Sequence, residues 1–404
     1  MADKVRKVKT IEDIQCTGKK VFVRVDFNVP LNDRGEVADD SRIVAALPTI
    51  KFLVEKRAKV ILASHLGRPK GEKNEKYSLK NVAATLEKLL GHNVKFLPDC
   101  IGEDVKNYVD GMSDGDVVLL ENLRFYKEET ENDPDFSKKL ASLADIYVND
   151  AFGTAHRAHA STEGITKFVD QKVAGFLMSK ELEFLGDKVS NAESPFVVIL
   201  GGAKVSDKIN VINNLLDKAD IMLIGGAMSY TILAAIGNKV GSSLVEADKF
   251  SVATDAIKKA KELGVKLMLP IDHVVTSNFD KEKMVVGNVR TVDLDIPDGE
   301  VGIDIGPKTV ELYRKEISKA KTILWNGPIG VFEIKQASAG TFSVAEAIAK
   351  SGAMSIIGGG DSSKAIKDSG FAADVSFIST GGGASLEFLE GTPLPGVEAL
   401  DKLD

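Results

Sequence analysis

Short apolar runs, each closed by a polar or glycine-rich turn and followed by an amphipathic segment, recur along the whole chain. In the first half they read VFVRVDFNVP (Val21–Pro30), KVILASHLGRP (Lys59–Pro69), VVLLENLRF (Val117–Phe125) and DIYVNDAFG (Asp145–Gly153). In the second half they read FVVILGGAK (Phe196–Lys204), IMLIGGAM (Ile221–Met228), KLMLP (Lys266–Pro270), TILWNGPIG (Thr322–Gly330), SIIGGGDS (Ser355–Ser362) and SFISTGGGA (Ser376–Ala384). Val, Ile and Leu run together without alternation, which suits strands buried on both faces. Helical spacing lies between them, as in Leu79–Leu90, Asp207–Leu216, Ser251–Leu263 and Thr341–Lys350. Strands alternating with helices predict an α/β fold with a parallel sheet in each half. Between the halves, Phe176, Leu177, Leu182 and Leu185 recur at helical spacing among charged residues. This predicts a partly exposed helix that joins two domains and stops near Asn191, with Pro195 favouring an extended continuation. The last stretch, LEGTPLPGVEALDKLD (Leu389–Asp404), reads as a tail laid over the surface.

Composition narrows the class. A chain of 404 residues has room for two or three domains. The formal net charge of −7 does not favour non-specific binding to nucleic acid or anionic lipid. The two cysteines, Cys16 and Cys100, make neither a disulfide framework nor a metal-ligand spacing, and fit reduced thiols in a cytoplasmic protein. MADKVRKVKT lacks the apolar core of a signal peptide. No apolar run approaches the ~20 residues of a membrane span.

Ligands of open parallel sheets bind beyond the carboxyl ends of the strands. In the first half those ends carry Asp26 and Asn28, His65 and Arg68, Asn122 and Arg124, then Asn149 and Asp150 followed by His156, Arg157 and His159. Arg42 is expected in the loop after the first strand. If these ends share a face, Arg42, Arg68, Arg124 and Arg157 converge with the histidines on a small, strongly anionic molecule, because guanidinium forks match carboxylate and phosphate oxygens. Any one of these arginines alone reads more simply as a weak surface ion pair. Arg24 lies within a strand and reads as an internal ion pair, and His92 and His273 as structural. In the second half, Gly201-Gly202, Gly225-Gly226, Gly358–Gly360 and Gly381–Gly383 each follow an apolar run and precede a helix. Glycine admits close backbone approach and leaves helix N-terminal amides open to an anion. A single such turn is as compatible with packing as with binding; together they point to a nucleotide or another polyphosphate. Neither G-x-x-x-x-G-K-[ST] nor G-x-G-x-x-G occurs. Lys204 and Lys208 are phosphate contacts or solvated lysines, and Asp361 is a Mg²⁺ ligand or a helix N-cap; spacing alone leaves both pairs open. A small-anion lobe and a nucleotide lobe joined by a hinge describe a small-molecule kinase.

These segments also carry a resemblance. VFVRVDFNVP, SHLGRP, LLENLRF, NDAFGTAHRAHAS, GGAKVSDKI, WNGPIGVFE, GGGDS and STGGGASLE resemble, in order, the signature blocks of the phosphoglycerate kinase family, over essentially the whole chain. The resemblance implies two Rossmann-like domains, each with a mainly parallel sheet flanked by helices. They would be a phosphoglycerate-binding domain (1–173), an interdomain helix and hinge (174–195), a nucleotide-binding domain (196–388) and a tail returning to the first domain (389–404). It implies Mg²⁺-dependent phosphoryl transfer between 1,3-bisphosphoglycerate and ADP, giving 3-phosphoglycerate and ATP, with closure of the two lobes. The implied phosphoglycerate contacts are Asp26, Asn28, Arg42, His65, Arg68, Arg124 and Arg157. The implied nucleotide contacts are Lys204, Lys208, Gly302 in the base pocket, Glu333 on the ribose, Gly359, Gly360, Asp361 on Mg²⁺ and Ser362. Arg42, Lys204, Gly382 and Gly383 would act at the transferring group. Position 362 is Ser where many members have Thr, which keeps the hydroxyl. A cytoplasmic glycolytic monomer is implied, without nucleic acid or membrane as partner. The alternative is a non-catalytic two-lobed anion- or nucleotide-binding protein. It would leave Lys204 and Asp361 unexplained, and a Rossmann-type dehydrogenase would want the absent G-x-G-x-x-G.

Overall fold

The computed structural model describes residues 7–403. The first six residues of the expected first domain, and Asp404 at the end of the expected tail, lie outside the described residues. The chain divides into two units, Met1–Glu183 with Pro393–Asp404, and Phe184–Thr392.

The first unit is built on β1 (Lys20–Val25), β2 (Lys59–Ala63), β3 (Val94–Phe96), β4 (Val117–Leu119), β5 (Ile146–Asp150) and β6 (Gln171–Ala174). They form one parallel sheet in the order β3-β4-β2-β1-β5-β6. Helices α1 (Ser41–Glu55), α2 (Lys80–Leu90), α3 (Glu103–Asp110), α4 (Lys127–Thr130), α5 (Pro134–Ala141) and α6 (Phe176–Leu182) belong to the same unit. Val21, Val23, Val60, Leu62 and Val148 pack with Ile43, Ile50, Leu53 and Leu86 on one side of the sheet. Their strand neighbours Phe22, Ile61, Val118 and Tyr147 are fully buried too. Both faces are therefore covered, which is why the apolar runs do not alternate. The C-terminal segment is stitched to this unit: Asp401 accepts from the Lys9 N–H at 2.7 Å, and Gly396 donates to the Ala155 carbonyl at 2.9 Å.

In the second unit β7 (Phe196–Leu200), β8 (Ile221–Ile224) and β9 (Lys266–Met268) are followed by short antiparallel strands. These are β10 (His273–Thr276), β11 (Phe279–Asp280), β12 (Val285–Val286), β13 (Val289–Val292) and β14 (Val301–Ile305). The chain then returns with β15 (Thr322–Asn326), β16 (Met354–Gly358) and β17 (Phe377–Ile378). The parallel sheet runs β17-β16-β15-β7-β8-β9, beside an antiparallel sheet β13-β10-β14. Its helices are α7 (Ile209–Leu216), α8 (Met228–Ala235), α9 (Phe250–Leu263), α10 (Pro307–Ile317), α11 (Ala339–Lys350), α12 (Gly360–Asp368) and α13 (Gly383–Leu389).

The departures from the periodicity have local causes. β3 is three residues long, and β6 is an edge strand beginning with Gln171 and Lys172, so neither has an apolar run to announce it. The antiparallel strands are short and partly exposed. The expected joining helix begins at Phe176, after β6, and widens into a π-helical stretch over Glu183–Lys188. Asp150, at the end of β5, anchors its start: Oδ1 accepts from the Leu177 and Met178 N–H groups at 2.9 and 3.2 Å. Among the described residues no helix is long and apolar enough to cross a membrane.

Candidate active site

At the carboxyl ends of β1, β2, β4 and β5 the first unit gathers its basic residues. β1 continues into Asp26, which takes a hydrogen bond from Arg42 Nη1 at 2.5 Å. Arg42 is the second residue of α1 and not part of a loop, so its backbone is fixed by the helix. Asn28 accepts from the Gly67 N–H at 2.9 Å. Asn122 is fully buried and is spent on scaffolding. Its Oδ1 accepts from the Leu66 and Arg124 N–H groups, and its Nδ2 donates to the Leu66 and Tyr77 carbonyls. This locks the turn carrying His65 to the turn carrying Arg124. Arg124 Nη1 donates to the Gly67 carbonyl at 2.9 Å, while its Nε is buried without a partner among the described residues.

Like charge is crowded here. Burial, with Arg24 and Arg157 nearby, brings Arg124 down to about 10, which leaves it a cation at neutral pH. Burial, then Arg24, Arg124 and Arg42, hold His65 well below the usual imidazole range. Burial, then Arg124, Arg24 and Arg157, lower His159 to about 4. Arg157 is exposed and its Nε donates to His156 Nε2 at 3.1 Å. Arg68 is exposed, and among the described residues no hydrogen bond or ion pair ties it to the cluster. A buried guanidinium with a spare N–H, ringed by other cations, is matched to a multivalent anion.

The expectation that Arg24 makes an internal ion pair is corrected in detail. Arg24 is fully buried, but its hydrogen bonds go to Ser161 Oγ, the Val25 carbonyl and His65 Nδ1. The buried Glu129 reaches it only through Ser161. His92 bonds the Gly115 carbonyl at 3.0 Å, and His273 is buried beside the Tyr230 ring.

In the second unit the glycine turns divide into two kinds. A Cβ on Gly201 would run into the Pro328 carbonyl, and one on Gly226 would come within 2.6 Å of the Gly202 backbone nitrogen. A Cβ on Gly225 would meet Ile329 at 2.5 Å. These glycines let the ends of β7, β8 and β15 touch backbone to backbone, with Gly226 donating to the Ile329 carbonyl at 2.7 Å. Gly360 and Gly382 instead face open space, and Gly359 and Gly382 take left-handed φ of 90° and 52° at the starts of α12 and α13. Gly383 is the first residue of α13. Close approach of an anion is thus open at Gly360 and Gly382, while a Cβ on Gly359 would come within 3.2 Å of Asn326 Nδ2.

The helix-cap reading of Asp361 fails: Gly359 is the N-cap of α12, with no side-chain cap, and Asp361 lies one residue inside Gly360 with its carboxylate exposed. Lys208 donates to Asn326 Oδ1; burial pulls its ammonium down, opposed by Asp207, Asp361 and Glu390. Lys204 is exposed. Ser362 is fully buried and its Oγ accepts from the Gly327 N–H at 2.6 Å, so its hydroxyl holds the loop after β15. Exposed Glu333 sits further along that loop, which Val331 ties to β14 through the Ile303 carbonyl at 2.8 Å. Gly302 is buried in β14, its Cα directed at the Tyr230 hydroxyl, and its N–H donates to Ser243 Oγ at 2.9 Å. Among the described residues no three His, Cys, Asp or Glu side chains are grouped to hold a metal. A single exposed carboxylate fits Mg²⁺, which takes most of its ligands from phosphate and water.

Sequence reasoning did not single out Asn326, Ser161 or Glu129. Glu129 stands in the run KEETE, which reads as a solvated helix, and only the tertiary structure buries it.

The family model described as phosphoglycerate kinase matches residues 11–392. Curated phosphoglycerate kinases of Clostridium botulinum (strain 657 / Type Ba4) and Clostridium tetani are each 57% identical over 395 residues, covering 97% of this chain and 98% of theirs. The solved phosphoglycerate kinase of Coxiella burnetii is 40% identical, with a TM-score of 0.88 over 97% of this chain and 98% of its own. That of Pyrococcus horikoshii OT3 is 36% identical, with a TM-score of 0.80 over the same shares.

Proposed function

The chain belongs to the phosphoglycerate kinase family, the phosphotransferases with a carboxyl acceptor, and from that premise we propose how its residues divide the work. In the direction that consumes ATP the nucleophile is the carboxylate of 3-phosphoglycerate. With an ordinary pKa near 4 it is already ionised at neutral pH, so no general base is needed. The cost lies in charge: the substrate carries roughly −3, from a phosphate of about −1.5 to −2 and a carboxylate, and it must meet a polyphosphate.

The observation that carries the first assignment is the spare buried Nε of Arg124 inside a ring of arginines. Arg68, Arg124 and Arg157 with His65 clamp the stationary phosphate. Asp26, held by Arg42, and Asn28 orient the hydroxyl and carboxyl end, and Arg42 faces the reacting carboxylate. In the second unit Lys204 and the amides at Gly382 and Gly383 stabilise the group in flight. Lys208, Gly359 and Gly360 hold the nucleotide phosphates, Glu333 the ribose, and Gly302 with Tyr230 forms a wall of the base pocket. Ser362 stays among the nucleotide contacts, and its Oγ also fixes the loop at Gly327. Mg²⁺, held by Asp361, would supply charge neutralisation to the phosphate oxygens. The two sets belong to different units, and the proposal includes closure of the two lobes about the joining helix, which ligand-dependent changes in small-angle scattering would register. Cytoplasmic location and a monomeric state belong to the same proposal; light scattering tests the second.

Hydroxylamine trapping tests the chemistry, because it captures an acyl phosphate as a hydroxamate. Product that requires MgATP and 3-phosphoglycerate together supports transfer to the carboxylate. Tight binding of both ligands without product would favour the non-catalytic alternative, which family membership does not support.

A further inference from the structure

Arg24 has no role in the assignments above, yet among the described residues it is the most deeply buried guanidinium of the first unit. It stands in β1, in register with Ala63 of β2 and Asn149 of β5, and is fully buried. Its Nε donates to Ser161 Oγ at 2.8 Å, its Nη1 to the Val25 carbonyl, and its Nη2 meets His65 Nδ1 at 3.1 Å. A guanidinium has donors only. His65 Nδ1 must therefore accept, which leaves the ring proton on Nε2. Nε2 has no hydrogen-bond partner among the described residues.

The orientation is set further back. Ser161 Oγ lies 2.6 Å from Glu129 Oε1, and the Ser161 N–H donates to Oε2 at 2.9 Å. Ala160 also donates to the Glu129 carbonyl at 2.9 Å, so Glu129 grips the segment next to His159 at three points. The single Ser161 hydroxyl proton goes to the carboxylate, and only lone pairs remain for Arg24. Glu129 and Ser161 hold the Arg24 guanidinium in place, and Arg24, which can only donate, makes His65 Nδ1 the acceptor, so that His65 presents Nε2–H.

We propose that Glu129 and Ser161 are positioning residues of the phosphoglycerate site, acting through Arg24 to keep His65 in the tautomer that offers Nε2–H to an anionic oxygen of the substrate. The proposal rests on the reading of His65 as a phosphoglycerate contact. A fully ionised phosphate or carboxylate only accepts hydrogen bonds. With its proton on Nδ1, His65 would turn a bare lone pair towards it.

Charge alone predicts the opposite sign for one variant. Glu129→Gln removes a negative charge beside an anion site, so a purely Coulombic role would tighten phosphoglycerate binding. A positioning role weakens it. The test is a long-range ¹H–¹⁵N correlation spectrum of the full chain labelled at histidine, with His65 assigned by the signals lost in His65→Gln. In the wild type the expected pattern is Nε2–H, shifted on adding 3-phosphoglycerate. In Ser161→Ala and Glu129→Gln the pattern moves towards a mixture of tautomers. The KM for 3-phosphoglycerate then rises about 10-fold or more, the loss of one hydrogen bond to a charged acceptor, with the KM for MgATP unmoved. A wild-type ring protonated on Nδ1 overturns the proposal without any variant having to fold. So does tighter phosphoglycerate binding in Glu129→Gln, or an unchanged tautomer in both variants. If 3-phosphoglycerate leaves the His65 signals in place while turnover persists, the reading of His65 as a contact falls instead, whichever tautomer is found.

Discussion

Asp150 offers the most quantitative check on the first unit. Its carboxylate is fully buried, and burial lifts it from 3.8 to about 6, against hydrogen bonds from Thr49 and the Met178 and Leu177 N–H groups that lower it. One oxygen receives the two N–H groups at the start of α6, and the other is buried without a partner among the described residues. A carboxyl with a raised native pKa binds its proton more tightly folded than unfolded. Stability attributable to it is therefore present at low pH and is lost as pH climbs through about 6, reaching a plateau above. The shift is about two units, or on the order of 3 kcal/mol in full, of which about 2 kcal/mol falls between pH 4.5 and pH 7.5. Asp150→Asn keeps an oxygen for both N–H groups and cannot ionise. Its amide hydrogens lack acceptors, which costs about 1–3 kcal/mol, but that cost does not vary with pH. The stability of Asp150→Asn relative to wild type should thus rise by about 2 kcal/mol from pH 4.5 to pH 7.5, whatever its absolute value. Calorimetric melting of both proteins across that range reads this as a relative gain of about 4–8 °C for a unit of this size. A pH-independent difference, or a carbon signal of the Asp150 carboxyl that titrates near 4, would refute the argument that burial outweighs the helix-start hydrogen bonds.

Three further outcomes are expected. Lys204→Ala lowers kcat by on the order of 10²–10³, as for loss of one transition-state donor, and unchanged turnover removes Lys204 from the mechanism. Arg157→Ala raises the Kd for 3-phosphoglycerate with little change for MgATP; wild-type affinity by calorimetric titration would exclude it from the site. Gly302→Ala forces a methyl into the Tyr230 ring, 2.9 Å from Cε1 and closer still to the hydroxyl, and costs about 1–3 kcal/mol of overpacking. Trp325, the single tryptophan, is fully buried in β15 of the same unit, so its fluorescence reports that unit's melting; an unchanged transition would rule out the close approach.

Much of this protein follows from local pattern. Continuous Val, Ile and Leu runs signal strands buried on both faces, since one-sided strands alternate, and β1, β5, β7 and β15 are buried nearly throughout. The residues at the ends of those runs could be picked out because a parallel sheet presents its carboxyl ends together. Whether a given group faces a ligand or the protein depends on partners distant in sequence, which no local pattern encodes. Gly201 and Gly360 stand in similar turns, yet one is pressed against the Pro328 carbonyl and the other is open. Asp361 lost its capping role because Gly359 already starts the helix with φ 90°. Ser362 spends its hydroxyl on Gly327, 35 residues away, and Ser161 reaches Arg24 across 137. Glu129 reads as solvated because its neighbours in sequence are charged; folding buries it against Ser161, which donates to both carboxylate oxygens, and burial outweighs those bonds and the nearby Arg24 in raising its pKa. The sequence determined which chemical groups stand at the strand ends. The tertiary structure decided which of them are free to act, because burial and hydrogen bonding are settled between residues that the chain brings together only on folding.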